Sequence, residues 1–266
     1  MTSPRRAAGC GIAAITAVVL AIILVIAIVA WALSAFAPAI VPRNLQPVPE
    51  DVPPAVAEAP PLIDVHGPGR TSDQLAQWAQ PIADATYIDP QAVRAYGNAE
   101  LIARDAWPEC NLAWNTLAGI GWVETRHGTY TGRTWDQGKL DDEGLAEPPI
   151  IGVPLDGSPG FAHIPDTDNG EWDGDSEYDR AMGPMQFIPE SWRRYGRDAN
   201  GDNDPDPQQI DDAALTAANL LCADGRDLST PEGWRDAVFA YNQSNDYLLK
   251  VRDAAGAYAM GQPAVR

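Results

Sequence analysis

Residues 112–128 read Leu-Ala-Trp-Asn-Thr-Leu-Ala-Gly-Ile-Gly-Trp-Val-Glu-Thr-Arg-His-Gly, and this stretch decides how the rest of the chain is interpreted. Its apolar residues recur at helical spacing, namely Trp114, Leu117, Ile120 and Gly121. The spacing predicts a helix over 112–127 that ends at Gly128 and carries Glu124 on its apolar face. A carboxyl on such a face loses hydration, which raises its pKa and keeps it protonated near neutral pH.

A protonated carboxyl beside apolar surface is what a general acid for glycoside cleavage requires. Glu124 is therefore our candidate catalytic residue. From the residues alone, the alternative is an ordinary last-turn glutamate that pairs with Arg126, because structural ion pairs also occupy such positions.

Two later segments add polar groups of the kind that a sugar-binding site uses. Gln186 is predicted on a short turn of helix over 182–187, and its amide can donate to and accept from an N-acetyl group at once. The alternative is a polar cap inside a Gly/Pro turn. Tyr241 and Asn242 end a predicted helix, where a phenol can orient a carboxyl. Viewed alone, this pair also fits a core aromatic followed by a C-capping Asn.

Four motifs occur in order at suitable distances: 121–128, 181–192, 198–202 and 240–242. Together they resemble the membrane-bound lytic murein transglycosylase B family, within the lysozyme-like group. They also match the wider soluble lytic transglycosylase pattern of Glu, then Gly-x-x-Gln, then Ala-Tyr-Asn. The resemblance covers residues 72–258. It departs at Thr125, where many relatives have Ser, but the hydroxyl is kept.

The resemblance implies a mainly α, lysozyme-like α+β catalytic domain, which we place at 71–258. Glu124 matches the single catalytic acid, which cleaves the bond between N-acetylmuramic acid and N-acetylglucosamine in peptidoglycan without water and leaves a 1,6-anhydro end. Gln186, Tyr241, Asn242 and Phe187 match substrate-binding positions, and Phe187 is expected to line the cleft. Tyr241 matches the residue that orients Glu124. No cofactor is expected to be required.

Two other functions stay open. A lysozyme-type muramidase would hydrolyse the same bond, with Asp173 or Asp175 as the base that activates water. A non-catalytic peptidoglycan-binding scaffold would need no protonated carboxyl. Nucleic acid is excluded as a partner, because the formal net charge is −19 and phosphate binding needs a basic face. The sequence identifies no protein partner.

The first forty residues predict the compartment. Residues 11–37 are uncharged and almost wholly apolar, which is long enough to span a bilayer, so we predict a retained transmembrane anchor. Arg5 and Arg6 place the tail, 1–10, in the cytoplasm and the catalytic domain outside, as a single-pass protein of the cell membrane. A cleaved secretory signal is the alternative.

Residues 38–70 hold nine prolines and predict an extended linker between the anchor and the domain. Residues 259–266 are assigned to a C-terminal tail. Within the predicted domain, 71–258, the capping residues predict helices that begin near residues 72, 89, 112, 189, 206, 230 and 244, with a small sheet near 150–165.

Two further sites follow from residue type. Cys110 and Cys222 are the two cysteines of the predicted outer part, so they form a disulfide in an oxidising compartment or remain two buried thiols.

A calcium loop is predicted from four oxygen-bearing side chains at alternate positions, which is the spacing of the early ligands in such a loop. They are Asp198, Asn200, Asp202 and Asp204. Position twelve of that loop is Gln209 instead of a bidentate Glu, so a solvated turn that leads to an Asp206 helix cap is the alternative.

Overall fold

The protein is described here from a computed structural model that covers residues 45–130 and 138–265. Residues 47–266 form one compact unit, and residues 1–46 form another, of which Leu45 and Gln46 are described. The predicted tail and transmembrane anchor therefore lie outside the described residues. Within the described ranges, no helix combines the length and the apolar character needed to cross a bilayer.

The described chain is mainly helical, as predicted. Its α-helices are α1 (Ala76–Thr86), α2 (Pro90–Ala106), α3 (Trp114–Thr125), α4 (Pro189–Tyr195), α5 (Ile210–Cys222), α6 (Pro231–Tyr241) and α7 (Asn245–Ala259). Short 3-10 helices span Thr71–Leu75, Pro108–Cys110 and Ala223–Gly225. The strands are β1 (Lys139–Leu140), β2 (Ala146–Glu147), β3 (Ile151–Pro154) and β4 (Arg180–Met182).

Two helix pairs build the core, because α2 packs along α5 and α3 packs along α7. The strands form two small antiparallel sheets, β1 with β2 and β3 with β4. In the second sheet, Ile151 lies opposite Met182 and Pro154 lies opposite Arg180. The predicted sheet near 150–165 therefore supplies one strand, and its partner strand comes from further along the chain.

Helix starts follow the predicted caps in several places. Asp89 accepts a hydrogen bond from the Gln91 amide at 2.8 Å, with Pro90 as the first helical residue. The α6 helix begins in the same way, since the Thr230 hydroxyl accepts from the Gly233 amide at 3.1 Å. These local signals are readable because each cap needs only residues that are close in sequence.

The start of α3 is held by a distant residue. The Glu100 carboxylate of α2 accepts a hydrogen bond from the Trp114 amide at 2.8 Å and pairs with Arg104. Burial raises the pKa of Glu100, and these contacts favour its charged form. The helix that carries Glu124 is thereby fixed against α2 at its N-terminus.

Two predicted elements are wrong. Asp206 does not cap a helix, because its carboxylate accepts from Gln208 N, while the Gln209 side chain caps α5 by accepting from the amides of Asp211 and Asp212. The predicted helical turn over 182–187 is a hairpin turn, in which Met182 and Phe187 exchange backbone hydrogen bonds of 2.8 and 3.0 Å. Gly183 allows this turn, since its φ of 72° is left-handed.

The proline-rich segment does not stay extended along its whole predicted length. The buried Asn115 amide accepts from the Ala57 amide at 3.2 Å and donates to the Ala55 carbonyl at 3.0 Å. The Trp114 indole donates to the Glu58 carbonyl at 3.0 Å. These buried side-chain groups fasten the segment to α3, so residues 47–70 belong to the compact unit and not to a free linker.

The predicted disulfide is confirmed. Cys110 and Cys222 are bonded, with Cα atoms 5.3 Å apart and a sequence separation of 112. The bond joins the 3-10 helix after α2 to the end of α5, and both residues are buried.

Replacing both cysteines, as Cys110→Ser with Cys222→Ser, should lower the free energy of unfolding by about 2 to 4 kcal/mol. The physical reason is that the closed loop restricts the unfolded chain. Urea denaturation measures this change. Reductant should bring the wild type to the midpoint of the double variant and leave the variant unaffected; equal midpoints for oxidised wild type and variant would contradict the prediction.

Candidate active site

Glu124 lies in the last turn of α3, where its carboxyl is partly buried. Burial raises the pKa of Glu124 to about 7, and a hydrogen bond from Tyr247 opposes that shift. The Tyr247 hydroxyl donates to Glu124 Oε1 at 2.6 Å. A carboxyl in this state is largely protonated below neutral pH and can deliver or accept a proton near pH 7.

Tyr247 was missed by the sequence analysis, which assigned the orienting role to Tyr241. Tyr241 instead donates its hydroxyl to the Met185 carbonyl at 2.6 Å. Its ring stacks on Tyr247, with centroids 6.4 Å apart and planes 9° from parallel. Tyr241 thus supports the phenol that contacts Glu124. A usable signal was present, because Ser244 is a helix cap and Tyr247 follows it in the first turn of α7.

Gln186 lies on the hairpin turn between Met182 and Phe187, where its side chain is partly exposed. Its amide nitrogen donates to the Gly183 carbonyl at 3.0 Å. This contact holds the side chain across its own turn and leaves the amide oxygen available as an acceptor for a ligand.

The other two predicted binding residues differ in exposure. Phe187 is only 3% exposed and packs edge-on against Tyr241, with ring centroids 5.4 Å apart. It therefore supports Tyr241 from the core and does not line an open cleft as predicted. Asn242 is exposed at the C-terminus of α6, where a side chain can meet a ligand.

Thr125 connects the end of α3 to the Gln186 turn. Its hydroxyl donates to the Pro184 carbonyl at 2.6 Å and accepts from the Gly128 amide at 2.8 Å. The structure therefore uses the hydroxyl that Thr125 shares with serine. Through this contact and that of Tyr241 with Met185, three segments distant in sequence meet at one place: α3, the hairpin turn, and the junction of α6 with α7.

The two aspartates considered as water-activating bases are bound within their own loop. The Asp173 carboxylate accepts from the amides of Asp175 and Arg180 at 2.9 and 2.6 Å. Asp175 forms an ion pair with Arg180 at 2.7 Å, and backbone amides together with this pair lower its pKa. A carboxylate stabilised in this way is a weak base.

The predicted calcium loop is held together by its own side chains. Asp198 accepts from the amides of Gly201 and Asn203 at 2.7 and 2.8 Å, and Asn200 donates to Asp202 at 2.9 Å. Position twelve, Gln209, caps α5. These contacts do not test calcium binding, which stays a prediction for Asp198, Asn200, Asp202 and Asp204.

Asp212 is a further carboxyl at this loop that sequence reasoning missed. It is fully buried and accepts from the amides of Ala199, Asn200 and Asp206, at 2.7, 3.2 and 3.0 Å. Burial raises the pKa of Asp212 to about 7. Its three backbone contacts fasten the loop onto α5.

A second acidic group lies in the loop before β4. The carboxylates of Asp166, Asp168 and Asp179 offer oxygens within 4.8 Å of one another and could hold a metal ion. Their oxygens already accept hydrogen bonds, for example from Thr167 to Asp179 at 2.8 Å and from Trp172 to Asp168 at 2.8 Å. These bonds account for the proximity of the three carboxylates without an ion.

The raised pKa of Glu124 predicts a pH-dependent difference in stability between the wild type and Glu124→Gln. The neutral carboxyl contributes stability that is complete below the ordinary glutamate pKa of 4.5 and lost as the pH rises through about 7. Between these values the variant should gain up to about 3 kcal/mol relative to the wild type. Denaturant unfolding of both proteins across this pH range measures the difference, and parallel curves would mean that folding does not raise the pKa of Glu124.

Comparison with known proteins identifies part of the chain. Residues 165–239 match the family described as the Transglycosylase SLT domain. No curated protein matches the chain. Among solved structures, the chain is similar to the Escherichia coli lytic transglycosylase Slt35 in complex with bulgecin A, with 16% identity, a TM-score of 0.39, and coverage of 76% of this chain and 85% of that one. The family match thus includes the Gln186 turn, while Glu124 and Tyr241 lie outside the matched residues.

Proposed function

We propose that this protein is a lytic transglycosylase that cleaves the glycan strands of peptidoglycan, as a member of the membrane-bound lytic murein transglycosylase B family. The observation that carries the proposal is the Glu124 carboxyl. Burial raises its pKa to about 7, and it accepts a hydrogen bond from the Tyr247 hydroxyl at 2.6 Å. The match of residues 165–239 to the Transglycosylase SLT domain supports the reaction type independently of Glu124.

In the first step, protonated Glu124 gives its proton to the oxygen that links C1 of N-acetylmuramic acid to C4 of N-acetylglucosamine. The bond between C1 and that oxygen breaks, and the N-acetylglucosamine leaves with a free 4-hydroxyl. The N-acetyl oxygen of the muramic sugar stabilises the positive charge that develops at C1. A carboxyl that is neutral close to pH 7 suits this role, because its proton is present and readily transferred.

In the second step, the Glu124 carboxylate takes the proton of the muramic C6 hydroxyl. The C6 oxygen forms a bond to C1, which gives the 1,6-anhydro product and restores the acid. One residue thus acts as acid and then as base, so the reaction needs no second carboxylate. Tyr247 keeps a donor on Glu124 and stabilises its ionised form between the two steps.

The hydrolytic alternative is disfavoured by the state of its predicted bases. Asp173 accepts two backbone amides and Asp175 is paired with Arg180. These contacts hold both carboxylates against their own loop. A pure binding scaffold is disfavoured for another reason, since it gains nothing from a carboxyl with a raised pKa and loses stability above neutral pH.

Location outside the cytoplasm is part of the proposal. The Cys110–Cys222 disulfide supports it, because such bonds persist in oxidising compartments. The sequence-based anchor at residues 11–37 would keep the enzyme on the membrane next to its substrate.

Glu124→Gln should abolish cleavage of purified peptidoglycan, because an amide cannot supply the proton, while circular dichroism stays that of the wild type. Mass spectrometry of the wild-type digest should show products with 1,6-anhydro ends, lighter by one water than hydrolysis products. Predominantly reducing ends would favour the muramidase, and wild-type turnover by the folded Glu124→Gln protein would overturn the role of Glu124. Binding without any cleavage by the wild type would favour the scaffold.

Tyr247→Phe should lower kcat by about 10- to 100-fold, because Glu124 loses the donor that orients it and stabilises its charge. Since the Tyr247 hydrogen bond lowers the pKa of Glu124, its removal should move the loss of activity at high pH to a higher pH. A pH profile of kcat measures both effects. Tyr195→Phe, on α4, is a matched control that should behave as the wild type.

A further inference from the structure

The chain reverses sharply directly after the helix that carries Glu124. Arg126, His127 and Gly128 follow one another with φ values of 55°, 62° and 86°. Two successive residues with a Cβ in the left-handed region are unfavourable, so surrounding contacts must hold them there. The conformation of this reversal sets how the last turn of α3 ends and therefore where Glu124 sits.

His127 provides such contacts. Its ring is 3% exposed, with Nε2 2.8 Å from the Tyr258 hydroxyl and Nδ1 3.1 Å from the Tyr96 hydroxyl. Burial first, and the nearby Arg126 charge second, lower the pKa of His127 to about 3. The ring is therefore neutral, with one donor and one acceptor nitrogen, and each phenol can complement one of them.

The Tyr96 hydroxyl also reaches the hairpin turn to which Tyr241 donates. It lies 4.0 Å from Met185 Sδ, and the Met185 carbonyl accepts the Tyr241 hydroxyl at 2.6 Å. Tyr241 stacks on Tyr247, which donates to Glu124. These contacts form a circuit that leads from His127 through Tyr96, Met185, Tyr241 and Tyr247 to Glu124. The circuit therefore begins just after α3 and ends in the last turn of that helix.

Gly121 makes room for this circuit. A Cβ at Gly121 would overlap the Tyr96 hydroxyl and lie 3.2 Å from His127 Nδ1. Only glycine lets the phenol approach the inner side of α3 one turn before Glu124. The sequence thus provides both the space and the polar partners for a buried imidazole directly behind the catalytic turn.

We propose that His127 is a positioning residue, which together with Tyr96 and Tyr258 holds the last turn of α3 so that the Glu124 carboxyl meets Tyr247. The inference rests on the proposed function for its catalytic meaning. A positioning role for His127 differs from a purely structural one. If the imidazole only filled space, a ring of similar size could replace it without any effect on Glu124.

The test uses the full chain and three variants. Tyr258→Phe removes one hydroxyl and leaves His127 Nε2 without its partner. His127→Phe keeps a ring but no nitrogen, and His127→Gln keeps one donor and one acceptor. Tyr195→Phe again serves as the control. The groups that face His127 are Tyr96, Tyr258 and Arg126, and those that face Glu124 are Tyr241 and Tyr247. The variants leave Arg126, Tyr241 and Tyr247 unchanged.

Tyr258→Phe and His127→Phe should lower kcat on peptidoglycan by about 10-fold or more with KM unchanged, because the acid is misplaced and substrate contacts are intact. The high-pH limb of the kcat profile should move by about half a pH unit or more, since Glu124 changes its environment. His127→Gln should retain more activity than His127→Phe. Unchanged kcat and pH profile in folded Tyr258→Phe would overturn the proposal.

A second readout separates this inference from the proposed function. Carbon-13 NMR of labelled glutamate follows the titration of Glu124, identified by its loss in Glu124→Gln, and needs no substrate. If the wild type does not cleave peptidoglycan, the proposed function fails, while a shifted Glu124 titration in Tyr258→Phe still supports the positioning role. If neither Tyr258→Phe nor His127→Phe folds, the circuit is structural and the proposal is overturned.

Discussion

The candidate active site depends on one hydrogen bond that is largely shielded from water, between the Tyr247 hydroxyl and the Glu124 carboxyl. Desolvation favours the protonated acid, and the phenol favours the carboxylate, so the two effects oppose each other. Desolvation is the larger, and the balance leaves a pKa of about 7. A fully exposed carboxyl would stay ionised near neutral pH, and a fully buried one without a donor would hold its proton too tightly to act as an acid there.

That balance requires segments far apart in the sequence to meet within ångströms. The Thr125 hydroxyl fixes the end of α3 to the Gln186 turn through Pro184. The Tyr241 hydroxyl fixes the same turn to α6 through Met185. Both bonds use backbone carbonyls of one hairpin, so the shape of that hairpin determines how the Glu124 carboxyl and the Gln186 amide lie relative to each other.

The sequence predicted the parts of this arrangement that local chemistry determines. Helical spacing placed Glu124 on an apolar face, and the caps at Asp89 and Thr230 marked two helix starts. The compartment argument led to the disulfide that is present. Each of these signals lies within a few residues or follows from residue type, so no knowledge of the three-dimensional packing was needed.

The parts that it missed depend on contacts between distant residues. Gln186 lies on a hairpin because Met182 pairs with Phe187 beside β3, which a helical reading of the turn overlooks. Tyr247 and not Tyr241 contacts Glu124, because the packing of α3 on α7 decides which phenol points at the acid. The proline-rich segment docks because Asn115 offers a buried amide to it, which the proline content cannot indicate.

The two ends of α3 are stabilised for different purposes. At its start, Glu100 caps the Trp114 amide and the docked segment binds Trp114 and Asn115, all far from the acid. At its end, the helix tolerates left-handed residues and a carboxyl that stays neutral where water would ionise it, and both features are unfavourable. The contacts at the start anchor α3 through residues that take no part in either unfavourable feature. Local burial thus raises the pKa of Glu124, while contacts far from the carboxyl hold the helix that carries it.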